Sequence, residues 1–313
     1  MKSITAFAPA TVANVSCGFD ILGFAIDELG DKVTVGLGDR PGLHVVHIEG
    51  DGGKLPYEAE QNTCTVAIQA MLYALGESID LEVRLEKGLP LGSGMGSSAA
   101  SAVAALVACN ELLGNPFQKQ ALLPFAIEAE RVACGAAHAD NVAPSLLGGF
   151  VLIRDYETLD VIKLHVPAGL YATLVHPHLE LNTADSRSVL RQKISLKEST
   201  IQSGNIAGLI AGLYSEDLPL ISRSLKDVIA EPSRALLIPG FYEVRQGIKE
   251  AGALGSGISG SGPTTFILSP NRDIALKSGE ISKEIFEKLG LETDIYTSAI
   301  NVRGAYCIPN TSP

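Results

Sequence analysis

The chain has 313 residues, 46% hydrophobic and 19% charged, which suits one large or two modest domains and excludes a disordered polypeptide. Its net charge of −11 argues against a nucleic-acid partner, which wants basic stripes. The longest near-apolar run, Ala99 to Cys109, is far short of the roughly 18 residues of a membrane span, so no membrane partner is expected either.

The N-terminus faintly imitates an A-x-A signal site, but Thr5, Pro9 and the missing apolar core point to a cytoplasmic address. Five scattered cysteines (Cys17, Cys64, Cys109, Cys134, Cys307) lack C-x-x-C spacing and read as reduced core residues. Strands are predicted near 2–7, 32–37, 43–48 and 80–86. Between the last two, Ile68, Met71, Leu72 and Leu75 repeat at i, i+3, i+4 and i+7 and predict a helix over 63–75, with Asn62 as its N-cap. Helices near 97–113 and 118–134 follow, then strands near 149–153 and 160–165. The second half opens with a strand near 170–176 and helices near 199–213, 217–230 and 241–251. It closes with strands near 263–268, 293–298 and 302–307 around a helix at 277–289. That order is α+β, not a regular βαβ alternation, with a seam expected around 155–170.

Before the second helix stands Leu89-Pro90-Leu91-Gly92-Ser93-Gly94-Met95-Gly96-Ser97-Ser98-Ala99-Ala100-Ser101. The glycines let the backbone turn sharply and approach a ligand closely. The first helical N–H groups then face outward with the positive end of the helix dipole, a ready site for phosphate. Ser97 and Ser98 add hydroxyls for phosphate oxygens or a metal ion. It is not a Walker loop, because no Gly-Lys-Ser/Thr follows. Gly94 to Ala99 and Gly255 to Gly260 match dinucleotide patterns, but the first is followed by helices with no acid in place, and the second leads into a strand where the pattern should open a helix.

Three further segments are too polar or too glycine-rich for ordinary core. Pro9 to Gly23 places Asn14 and Asp20 among apolar residues, where Asn and Asp also serve as turn formers beside Gly18. Glu128 to Gly149 contains Glu130, whose helical neighbours Ala126, Ile127, Ala133 and Cys134 are all apolar. A carboxylate on such a face needs a cation or donors; Mg²⁺ held against phosphate is one solution, and a salt bridge from a distant segment is another. Gly252 to Thr264 is a second glycine loop, able to close on the same phosphates or to act as a tight connection.

Together, the segments around Asn14 to Gly23, Pro90 to Ala100 and Gly255 to Thr264 resemble the three signature motifs of the GHMP kinase superfamily. The P-A-T-x-A-N-x-x-x-G-F-D-x-L-G and H-x-D-N-V-A-P-S-L-x-G-G stretches resemble its homoserine kinase branch most. The resemblance implies a ribosomal-S5-like N-terminal half over 1–160, which holds ATP, and a ferredoxin-like C-terminal half over 161–313. It implies that Pro90 to Ser101 wrap the triphosphate with Asn62 near the adenine, and that Ser98 and Glu130 hold Mg²⁺. Asn14, Asp20, His138, Asp140 and Asn141 then line a homoserine site that Thr183, Arg187 and Arg234 complete, with Asn141, Glu130 and Ser98 as the catalytic set. Gly257, Ser259, Gly260 and Gly262 form the C-terminal glycine loop. On the residues alone, Arg187 beside Asp185 and Arg234 after Glu231-Pro read as exposed ion pairs. The activity implied is ATP-dependent phosphorylation of L-homoserine in threonine biosynthesis. Another small-alcohol kinase of the superfamily and a non-catalytic nucleotide-binding relative stay open. The partners expected are ATP and L-homoserine, with a homodimer as the one macromolecular assembly left open.

Overall fold

A computed structural model describes residues 2–135, 139–179, 181 and 183–309; the side chains of 133–134 and 183–185 fall outside that set. β1 (Ser3–Ala13) and β2 (Leu22–Leu37) pair antiparallel from Ser3↔Gly36 to Ala13↔Gly23, with a register shift between Pro9 and Thr11. Both strands are longer than the alternation predicts. Pro9 removes a ladder donor, and the irregularity beside it lets the pairing continue.

β3 (Leu43–Glu49), α1 (Thr63–Leu75) and β4 (Leu81–Glu86) follow, with β4 antiparallel to β2 and β3 parallel to β4. α2 (Ser97–Leu112) and α3 (Leu123–Cys134) pack with α1, α4 (Ala139–Leu147) packs with α2 and α3, and α2 and α4 sit on β1 and β2. α4 escapes the periodicity because Pro144 lies inside it. β5 (Phe150–Asp155) and β6 (Asp160–Lys163) form a hairpin that pairs with β2 through Leu22 to Phe24. The residues between them are thus a turn and not a linker.

The second half runs β7 (Tyr171–Pro177), α5 (Thr183–Ser188), α6 (Leu196–Ser215), α7 (Leu218–Ser224), α8 (Glu231–Arg234) and α9 (Phe241–Glu250). β8 (Gly255–Ile258), β9 (Thr265–Ser269), α10 (Arg272–Lys288), β10 (Thr293–Ala299) and β11 (Tyr306–Ile308) complete it. A four-stranded antiparallel sheet in the order β10-β7-β9-β8 forms, with α10 packed on it and α9 against α10. β11 instead returns to the first sheet and pairs with β1.

Two further segments differ from the sequence expectation for clear reasons. The helix expected over 217–230 ends at Ser224, because the Asp227 carboxylate accepts the N–H groups of Ile229, Ala230 and Glu231 and turns the chain. The start of the second glycine cluster is a strand, β8, where a Cβ at Gly257 would fall 2.8 Å from the Phe266 ring. There glycine serves close packing.

The main core runs through both sheets, and a second gathers Val175, Phe241, Ile267 and Phe286. Phe24 on β2 lies 4.8 Å from Phe150 on β5 and 5.8 Å, edge-on, from Phe266 on β9. Cys17, Cys64 and Cys109 are buried in the main core, and burial pushes each thiol up to about 12, so they are packing residues and poor nucleophiles.

Candidate active site

A cleft of about 350 Å³ opens between the end of β1, the loop into α2, the α3–α4 region and the β8–β9 loop. Its lining includes Leu91, Gly92, Ser93, Gly94, Gly96, Ser97 and Ser98 from the loop before α2. Gly96 caps α2 at φ 69° and supplies no side-chain hydrogen bond. The first backbone bond into the helix is Ala100 N–H to Gly96 C=O at 2.9 Å, so the N–H groups ahead of it point out of the helix end. Met95, Ala99, Ala100 and Ser101 are buried and face away from the cleft, and Pro90 does not line it.

Two other segments grip the loop through its carbonyls. Thr11 N–H donates to Met95 O at 3.0 Å and Thr264 N–H to Ser93 O at 3.3 Å. Ser259 Oγ donates to Gly94 O at 2.7 Å. A Cβ at Gly94 would fall 2.5 Å from Ser259 O, so glycine is what permits this contact. Of the second glycine loop, Gly260 reaches the cleft, while Gly257 and Gly262 pack behind it.

Beneath the loop lies a buried ion pair that the sequence reading missed. Lys87 Nζ donates to Asp31 Oδ2, and the two side chains are 1% and 0% exposed. Asp31 also accepts from Gly88 N at 3.0 Å, Leu89 N at 3.2 Å and Ser101 Oγ at 2.6 Å. Lys87 also donates to Ser97 O and Ser101 Oγ, each at 2.9 Å. Every donor of the ammonium is used, which is the condition under which a buried pair is tolerated. Lys87 directly precedes Gly88, a signal visible in the sequence; its partner 56 residues away is not.

Asn14, Asp20, Asp140, Asn141, Arg187 and Arg234 also line the cleft. Asn14, Val15, Ser16 and Asp20 have φ of 71°, 42°, 59° and 60°, left-handed values that cost L-residues about 1–2 kcal/mol each. Asn14 holds this bend as a strut: its Nδ2 donates to Gly260 O at 2.9 Å and its Oδ1 accepts from Asp20 N at 2.9 Å. Arg187 Nη2 donates to Asp20 Oδ2 at 2.6 Å, and the pair is partly exposed at 44% and 34%. The Tyr156 hydroxyl donates to the Asp20 carbonyl.

Arg234 is buried, and burial pulls its guanidinium below the ordinary value. Its Nε donates to Ser186 O at 3.1 Å and its Nη1 to Gly260 O at 3.0 Å. Both arginines lie over the Phe19 ring, 6.0 and 5.4 Å from its centre. Arg234 does not form the local ion pair read from the residues alone, because Glu231 is taken by Arg245, bonded through both carboxylate oxygens; the Asp185 side chain, the partner expected for Arg187, lies outside the described residues. His138 lies outside the described residues, as does the side chain of Thr183.

Glu130 is 2% exposed and lines the cleft with Ser98, while Glu128 makes the expected surface pair with Arg131 at 3.0 Å. A buried carboxylate beside a hydroxyl is a hard oxygen set, which fits Mg²⁺. Among the described residues no group of three His, Cys, Asp or Glu assembles to hold a metal. Leu55, Pro56, Gln61, Asn62 and Thr63 also line the cleft. Asn62 is committed to structure, since its Oδ1 caps α1 at Cys64 N and its Nδ2 donates to Pro56 O.

Models of the GHMP kinases N terminal domain and the GHMP kinases C terminal region match residues 62–149 and 209–288. The homoserine kinase of Chlorobium phaeobacteroides (strain BS1) is 51% identical, over 98% of this chain and 100% of its own length. That of Chlorobaculum tepidum is 50% identical, with both chains covered in full. The crystal structure of homoserine kinase from Cytophaga hutchinsonii matches with a TM-score of 0.96 and 52% identity over 98% of each chain.

The loop geometry yields a paired prediction. Gly92 and Gly96 have similar positive φ, 65° and 69°, but a Cβ at Gly96 would fall 2.0 Å from Thr11 Oγ1, whereas one at Gly92 meets nothing within 4 Å. Backbone strain being equal, Gly96→Ala is expected to weaken nucleotide binding at least about tenfold more than Gly92→Ala, roughly 1.4 kcal/mol. Titration of both folded variants with a fluorescent ATP analogue checks it; equal losses would show that close packing at Gly96 does not govern the site.

Proposed function

The chain belongs to the GHMP kinase family, in its homoserine kinase branch, and from that premise we propose how its cleft transfers the γ-phosphoryl group of ATP to L-homoserine. The fold is that family's α+β arrangement, a ribosomal-S5-like first half and a ferredoxin-like second half. The reaction yields O-phospho-L-homoserine and ADP, a step of threonine biosynthesis that we place in the cytoplasm. No described helix is long and apolar enough to cross a membrane.

The outward-facing N–H groups at the start of α2 bind the triphosphate, with the adenine toward Leu55, Pro56 and Asn62. Glu130 and Ser98 would hold Mg²⁺, which when bound neutralises charge on the β- and γ-phosphate oxygens. Asn141 meets the homoserine hydroxyl. The bond from that oxygen to the γ-phosphorus forms as the bond from phosphorus to the ADP oxygen breaks, and the hydroxyl proton passes to a phosphoryl oxygen. Such a transfer needs alignment and charge neutralisation more than a strong base.

The observation that carries the substrate assignment is the Asp20–Arg187 pair, with Arg234 buried beside it. A zwitterionic amino acid can enter such a pair and exchange one ion pair for two, its ammonium on Asp20 and its carboxylate on the arginines. An alcohol lacking the amine would leave Asp20 poorly compensated in a partly desolvated site.

A discrimination assay tests this reading. Wild type should prefer homoserine over 4-hydroxybutyrate in kcat/KM by about ten- to a hundredfold, the effect of one charged hydrogen bond of roughly 1.5–3 kcal/mol. Asp20→Asn should erode that preference. Equal use of both compounds by wild type would remove the homoserine assignment and favour another small-alcohol kinase; no turnover of either would favour a non-catalytic relative. For the metal, Glu130→Gln should raise the Mg²⁺ needed for half-maximal rate by at least about tenfold with no change in fold, and excess Mg²⁺ should recover part of the loss. Full activity at low Mg²⁺ would assign Glu130 to a structural contact.

A further inference from the structure

Thr11 lies on β1 at the back of the cleft, and its side chain is wholly buried. Its hydroxyl donates to Asn141 Oδ1 at 2.8 Å. An amide oxygen only accepts, so the Thr11 proton is committed to that bond. Through its backbone N–H the same residue holds Met95 O of the phosphate loop at 3.0 Å. Gly96 closes over both groups: a Cβ there would fall 2.0 Å from Thr11 Oγ1 and 2.9 Å from Asn141 Oδ1. The oxygen side of the Asn141 amide is thus occupied by Thr11 and crowded by Gly96, which leaves the Nδ2 side for the cleft that Asn141 lines.

We propose that Thr11 is a positioning residue that fixes the Asn141 amide with its N–H₂ toward the reacting oxygens. Asn141 then serves as a hydrogen-bond donor to the homoserine hydroxyl oxygen and takes no proton from it. The proposal rests on the reading of Asn141 as the group that meets that hydroxyl. Without the Thr11 proton the amide is free to turn over, presenting oxygen where the transfer needs a donor. Because Thr11 also touches the loop that binds phosphate, it sets nucleotide and acceptor in one frame, where small displacements are costly in rate.

The test is a kinetic cycle on Thr11→Val, Thr11→Ala, Thr11→Ser and Asn141→Ala, each with its melting temperature. Thr11→Val and Thr11→Ala should each lower kcat about tenfold or more, roughly 1.4 kcal/mol, with KM for ATP and homoserine within about threefold of wild type. Thr11→Ser, which keeps the hydroxyl, should retain most of kcat. In the Asn141→Ala background, removing the Thr11 hydroxyl should cost nothing more, because the group it positions is gone. Thr11→Ala serves where Thr11→Val fails to fold. A lowered melting temperature with unchanged kcat, or losses that multiply in the double variant, would overturn the proposal. Wild-type kcat in Asn141→Ala would instead sink the reading of Asn141, and this proposal with it.

Discussion

The cleft depends on the buried contact between Asp31 and Lys87. Moving two charges out of water costs several kcal/mol per ion, and the attraction between them offsets that only when every remaining lone pair and proton is satisfied. Here the carboxylate collects donors from Lys87, Gly88, Leu89 and Ser101, and the ammonium reaches Asp31, Ser97 and Ser101. Those partners come from β2, from the start of the glycine loop and from the first turn of α2. The pair therefore fixes both ends of the loop to the sheet from below. Thr11, Ser259 and Thr264 then hold it from the sides.

This frame explains how an acidic protein holds a polyanion. The pair is neutral overall, and the lysine's donors are spent on protein atoms, so it contributes little net attraction to phosphate. The favourable field comes from the helix N-terminus and its outward N–H groups, which work only if the loop does not relax onto them. The selectivity proposed for the acceptor rests on another economy of charge. Asp20 and Arg187 neutralise each other, and in the proposed function a zwitterion would separate them, while Arg234 is kept in place by Ser186 and Gly260 carbonyls.

The parts legible in the sequence were those with a local signature. The glycine-serine loop announces its own bend, Glu130 stands out because its helical neighbours are apolar, and Asn62 sits where the periodicity of α1 begins. Sequence logic fails where meaning lies in a distant partner. Nothing near Asp31 marks it, and the motif that contains Thr11 does not name its partner, since Lys87 and Asn141 are 56 and 130 residues away from them. Arg234 misleads for the same reason: its neighbour Glu231 is claimed by Arg245, and Arg234 turns inward. In the fold, Pro144 conceals α4, and the glycines of β8 imitate a loop because they serve packing against Phe266 and Leu225.

The central claim is that geometry imposed by the Asp31–Lys87 pair, and not a charge it lends, makes the nucleotide site. The most direct measurement is the ATP dissociation constant of the double variant Asp31→Leu/Lys87→Met beside its unfolding free energy. Removing both charges together leaves the local net charge unchanged and avoids the roughly 3–5 kcal/mol cost of stranding one of them. The account predicts a folded protein, less stable by roughly 1–3 kcal/mol for each of the Gly88 and Leu89 N–H groups that lose their acceptor, whose ATP affinity falls at least about tenfold, or roughly 1.4 kcal/mol, because the first turn of α2 has lost its anchor. Wild-type ATP affinity in a stably folded double variant would contradict it.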